Sequence, residues 1–368
     1  MRSGPVLQRL RAGMAAALAA AAVSVVATGC GGGGASGGLS KPSQRASRPP
    51  VEAYDAIRLG ELRERVIGIL VEATKDPSAE VRANAVEGLA VTPSRLKPLL
   101  PTLLADQNLG VRAVAAMAVG KARITAALPQ VRPLVYDPSP IVKAAAVFAL
   151  RRCGDTSPDA DPTPIGALLW DDSPRTRAHA AYLLGELRES SALPMLIDSL
   201  RAKMPRARPA EVRLMELQIA EARAKLGDDN ALHPIRAALY PSRPDDLEAT
   251  ALAAQIIGEV NDRRSIDQLV YLTARLDETG RHMPAEIRLA AAASLAKLGL
   301  PRGSFLAEEY LSDPKPTLRA QAALLLGAIG HTDGLRYLQP MLEDPNPQVR
   351  VAAAAAILRI TERAQPEQ

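Results

Sequence analysis

Apolar residues recur at spacings of three and four along most of the chain. Clear examples are "AHAAYLLGEL" (178–187) and "AQAALLLGAI" (320–329). That period predicts helices with one buried stripe. A shorter apolar run follows each one, such as "ALPMLIDSL" (192–200) or "LRYLQPML" (335–342). The pattern therefore predicts pairs of helices, one long and one short. No run of alternating β-branched residues predicts a strand.

The pairs are punctuated by a recurring polar turn. It reads "DPSAEVR" (76–82), "DQNLGVR" (106–112), "DPSPIVK" (137–143), "DDSPRTR" (171–177), "DPKPTLR" (313–319) and "DPNPQVR" (344–350). In each, Asp precedes the basic residue by six positions. Degenerate copies stand at "PAEVR" (209–213), "PDDLE" (244–248) and "PAEIR" (284–288). From Arg82 to Arg350 the markers step by 30, 31, 34, 36, 35, 40, 31 and 31 residues. A period of this length is the signature of a helical repeat array. Ser139–Pro140, Ser173–Pro174 and Asn346–Pro347 suit a helix start: a capping side chain, then Pro at the first helical position. Asp344, just outside the helix, is placed near its positive end. Gly120, Gly185, Gly227, Gly299 and Gly330 are expected to close the long helices. A motif repeated at structural period is architecture rather than chemistry.

Composition agrees and narrows the function. Hydrophobic residues make up 47% of 368, aromatics only 3%, so any core is built from Ala, Leu, Val and Ile. The net charge of +5 falls to +2 without Arg2, Arg9 and Arg11. That balance gives no support for nucleic-acid binding. Cys30 and Cys153 are the only cysteines, and the four histidines show no metal-ligand spacing, so no metal or cofactor is expected. Cys153, beside Arg151 and Arg152, reads as a small buried helix-end thiol. With no nucleophile motif and no phosphate-binding loop, the chain is not expected to be an enzyme.

The Asp…Val-Arg turn, the Ala-Ala pair after it and the Leu-Gly at the helix end resemble HEAT repeats, in particular the short HEAT-like subclass of phycobilisome lyases. The resemblance implies an all-α fold: an α-solenoid of about nine HEAT-like helix pairs wound as a right-handed superhelix over residues 51–361, with 362–368 a disordered tail. It also implies a ladder in which Asp76, Arg82, Asp106, Arg112, Asp137, Lys143, Asp171, Arg177, Asp313, Arg319, Asp344 and Arg350 serve adjacent repeats. In that family the long helix lines the concave surface. Position +5 from the basic residue lies opposite the packed stripe, which places Met117, Phe148 and Tyr182 in adjacent rows facing outward. Nearby +2 positions add His179 and Met215. These five are candidates for partner binding. The long turn "RAKMPRARPAEVR" (201–213) carries Arg201, Lys203, Arg206 and Arg208, candidates for an anionic polymer.

The N-terminus reads as an address. A positive segment and the apolar run "MAAALAAAAVSVVA" (14–27) precede "ATGC" (27–30). The apolar run is shorter than a spanning helix needs. Small residues before a Cys resemble the lipobox of bacterial lipoproteins. The resemblance implies a signal peptide over 1–29, cleavage after Gly29, lipid on Cys30 and a membrane location, the outer membrane in a Gram-negative cell. Residues 30–50, rich in Gly, Ser and Pro, read as a flexible tether spanning about 25 Å. The expected function is a non-catalytic scaffold that binds an envelope protein. The alternatives are a glycan or polyanion binder using the basic loops, and an enzyme accessory of the HEAT-like lyase type.

Overall fold

The computed structural model describes residues 54–241, 246–276 and 280–364. The segments expected to be a signal peptide and a tether, with Gly29 and Cys30, lie outside them. The described chain is an all-α solenoid. Helix α1 (Ala56–Ala73) leads into nine long helices: α2 (Ala79–Leu89), α3 (Leu109–Ala122), α4 (Pro140–Arg152), α5 (Pro174–Leu187), α6 (Pro209–Lys225), α7 (Leu247–Glu259), α8 (Ala285–Lys297), α9 (Pro316–Ile329) and α10 (Pro347–Arg363). Short α- and 3-10 helices join them on the outside, such as Leu193–Ser199 and Leu335–Met341. The last helix includes Glu362 and Arg363, so helix runs into the segment expected to be a tail.

Each long helix packs on the one before it, and the array closes. Helix α10 lies against α9 on one side and against α1 and α2 on the other. Closing a ring with nine units requires a rotation of roughly 40° per unit, and repeat arrays set that curvature by their per-repeat contacts. Here the contact is a glycine. A Cβ on Gly120, Gly185 or Gly327 would stand 2.9, 2.8 or 2.8 Å from the Cα of Ala149, Ala222 or Ala356, and one on Gly258 would stand 3.0 Å from that of Ser294. Backbones this close on the inner layer shorten its circumference and force strong curvature. Gly120 and Gly185 are thus packing points inside their helices, not the caps expected. The αL caps there are Arg123 (φ 51) and Arg188 (φ 58), whereas Gly227, Gly299 and Gly330 do take positive φ beyond their helix ends.

The Asp turns are built alike. In all six, an Asp Oδ1 accepts from the backbone N–H two residues on, as in Asp76–Ser78 at 2.8 Å and Asp344–Asn346 at 2.9 Å. The Asp side chain therefore folds the turn, and the residue it orders, such as Asn108 or Asn346, caps the helix.

Candidate functional sites on the axis, the outer rim and the edge

Three rungs of the expected ladder form. The Arg82 guanidinium donates from Nε and Nη2 to Asp106 at 2.8 Å each. Arg112 does so to Asp137 and Arg319 to Asp344. In each case Nη1 donates to the carbonyl of its own turn's Asp at 2.8 Å. This is bidentate recognition by an oriented fork. Arg177 departs from it. It bonds the carbonyls of Asp171 and Ala202 at 2.6 and 3.2 Å, because the long turn after it has lost its Asp. Lys143 is exposed. Arg288, in a degenerate copy, reaches Glu309 and Tyr310 rather than Asp313.

The outward-facing stripe is a correction. Met117, Phe148, Tyr182, His179 and Met215 are all buried, Phe148 completely. Sequence spacing gives the direction of a side chain from its own helix but not the distance to the next helix. Phe148 packs over Gly120 of the preceding helix, so the wedge between close helices hides it. His179 donates from Nε2 to the Ile141 carbonyl at 3.3 Å, while its Nδ1 is buried without a partner. Burial holds it neutral, with its pKa pushed down to about 4.

Around the axis, long charged side chains from different repeats converge. Lys225 Nζ donates to Glu186 at 2.7 Å and to Glu221 at 2.6 Å. Gln218 supports Glu221 at 3.0 Å. The Lys121 and Lys225 ammoniums lie 5.3 and 5.1 Å from the centre of the Tyr182 ring, a double cation–π contact. Glu87 Oε1 is buried without a hydrogen bond. Burial pushes this carboxyl up to about 7, against the opposing fields of Lys121 and of Arg359 from the other end of the chain. Burial also raises Glu221, although Lys225 opposes it. For Lys225 the burial penalty is outweighed by Glu221 and Glu186, which hold its pKa up. The cluster neutralises itself. Chemically it can hold charges of both signs and protons.

The outer surface carries what sequence reasoning missed. Of ten aromatic residues, five are exposed: Tyr136 (75%), Trp170 (45%), Tyr240 (61%), Tyr271 (49%) and Phe305 (58%). All sit on or at the ends of the short outer helices. Tyr136 and Trp170 each directly precede the Asp of a turn, and that equivalence was the available signal. Beside Trp170, the 201–208 turn is held by Arg177. Its Arg201, Lys203, Arg206 and Arg208 are all exposed. Arg201 pairs with Asp198 at 2.9 Å and Arg208 with Glu211 at 2.5 Å.

Cys153 is half-buried, and burial raises its thiol despite Arg123 and Arg152. Among the described residues no group of three His, Cys, Asp or Glu could hold a metal, and no helix is long and apolar enough to cross a membrane.

Residues 67–151, 128–216 and 303–367 match the HEAT-repeat family. These segments cover more than half of the chain, which therefore belongs to the HEAT-repeat proteins. No curated protein matches it by sequence. Among solved structures it is similar to human deoxyhypusine hydroxylase in complex with glycerol, at 19% identity over 75% of this chain and 99% of that one, with a TM-score of 0.36. It is also similar to the CpcE–CpcF complex of a Nostoc phycocyanin lyase, at 20% identity over 71% and 94%, with a TM-score of 0.30. A further similarity is to Escherichia coli YibA, at 15% identity over 84% and 99%, TM-score 0.30.

Proposed function

We propose that this HEAT-repeat protein is a non-catalytic scaffold of a bacterial envelope, tethered through lipid on Cys30, and that it captures a protein partner on its outer rim. The observation that carries this reading is the exposure of Tyr136, Trp170, Tyr240, Tyr271 and Phe305 in a chain so poor in aromatics. Exposed aromatics are the side chains that anchor protein interfaces. Closure of the ring supports the same surface, because the inner layer is occupied by its own charges. The polyanion reading is weaker: Arg201 and Arg208 are already engaged by Asp198 and Glu211, and only part of the turn's charge is left for a polymer.

The test is photocrosslinking from position 167, an exposed alanine beside Trp170, in the tethered protein within its native envelope. One enriched protein is expected, lost in the Tyr136→Ala, Trp170→Ala double variant while the melting temperature stays within about 2 °C, as for surface substitutions. Enrichment of cell-wall polymer instead would overturn the reading in favour of the glycan alternative. Cys30→Ser is expected to leave the membrane fraction, and its retention there would refute the lipid anchor.

A further inference from the structure

The edge ladder has two ends, and closure of the ring brings them together. Asp76 is the first Asp and has no preceding arginine. Arg350 is the last arginine and has no following Asp. Both line one groove of about 350 Å³ between the first and last repeats. Among the described residues, no carboxylate pairs with Arg350 and no cation pairs with Asp76. The rest of the groove is Ile69, Ala73, Val81 and Val351 with Pro77 and Pro347, and Glu72 and Lys75 at its margin pair with each other at 3.0 Å.

Arg350 is prepared as the rung-forming arginines are. Its Nη1 donates to the carbonyls of Asp344 and Pro345 at 2.8 and 3.2 Å. In Arg82, Arg112 and Arg319 the same anchoring leaves Nε and Nη2 to grip a carboxylate, at 2.8 to 3.0 Å. Asp76 likewise keeps Oδ1 on the Ser78 N–H, as Asp106, Asp137 and Asp344 do while receiving an arginine. The two half-rungs are formed but stand across a groove from each other.

We propose that this seam groove is a peptide-binding site for a segment of a partner protein carrying an acidic and a basic side chain on either side of an apolar one. The acidic group would take the Arg350 fork, the basic group would take Asp76, and the apolar side chain would lie on Ile69, Pro77 and Pro347, which stay accessible at the groove. The occupant follows from charge complementarity, since only a ligand bearing both charges completes both half-rungs. The site is separate from the aromatic rim, so either can fail alone.

The test is calorimetric titration of the full chain in detergent with the peptide acetyl-Asp-Leu-Arg-amide, against acetyl-Asn-Leu-Gln-amide as control. The charged peptide is expected to bind. Arg350→Gln and Asp76→Asn should each weaken it by about tenfold or more, the loss of one charge-assisted contact. Because either variant could loosen its turn, Ala73→Trp supplies a second route. It fills the groove from the α1 side while leaving both charged side chains in place, and should abolish binding with an unchanged melting temperature. No binding up to about 10 mM, equal binding of the neutral peptide, or indifference to any of the three substitutions would overturn the site.

Discussion

Burial of Glu87 and of His179 pulls stability in opposite directions with pH. A carboxyl whose pKa is raised from 4.5 to about 7 on folding binds its proton more tightly in the folded state. Its contribution is complete below pH 4.5 and is lost as pH rises through 7. A histidine lowered from 6.5 to about 4 contributes fully above pH 6.5 and loses that contribution as pH falls through 4. Each shift corresponds to on the order of 3 kcal/mol. Between pH 4.5 and 6.5 the two slopes oppose each other. Glu87→Gln should uncover a rise with pH across that window and should gain about 1–3 kcal/mol over wild type at pH 8. Urea unfolding at a series of pH values checks this, and a profile unchanged by Glu87→Gln would mean that the carboxyl does not hold its proton.

At the scale of the element, the same residue type plays two opposite parts. Gly68 in α1 has open space where a Cβ would stand, whereas at Gly327 in α9 a Cβ would be 2.8 Å from the Ala356 Cα. Gly68→Ala should stabilise by up to about 1 kcal/mol through helix propensity. Gly327→Ala gains the same propensity but must push α10 outward, so it should destabilise by about 1–3 kcal/mol. Thermal unfolding of the two variants gives opposite signs if inner-layer glycines set the curvature. A stabilised Gly327→Ala protein would show that they do not. The lettering of the turns was legible because Asp, Pro and Arg act locally. The role of Gly120 and Gly185 was not, because a helix-end glycine and a close-approach glycine look identical in a one-dimensional pattern.

For the whole molecule, the decisive contact is between ends. Helix α10 buries Val349, Ala353, Ile357 and Ile360, and α1 buries Leu62, Val66 and Leu70. Arg63 reaches Glu362 and Arg65 reaches Glu343, at 2.6 and 2.7 Å. Removing one end unit from an open array sacrifices one interface, because each repeat touches only its neighbours. Removing residues 331–368 from this ring sacrifices two and bares the apolar side of α1. The shortened chain should therefore lose its single cooperative transition and associate on gel filtration. A monomer that unfolds in one step, with a proportionally smaller denaturant dependence, would show that closure contributes little.

The sequence alone determined the helical repeat, its period, the Asp–Arg grammar of the turns and the family, because these rest on contacts within about thirty residues. Periodicity carries such contacts directly. It also located the long turn at 201–213, whose lost Asp leaves Arg177 bonded to carbonyls. The tertiary structure decided the rest. Met117, Phe148 and Tyr182 occupy the positions that an open groove would expose, yet close helix approach buries them. Asp76 and Arg350 stand 274 residues apart, and only the accumulated rotation of nine units brings them to one groove. Small angular increments sum to a closure that no local pattern encodes, so which faces are hidden and which ends meet could be read only from the fold.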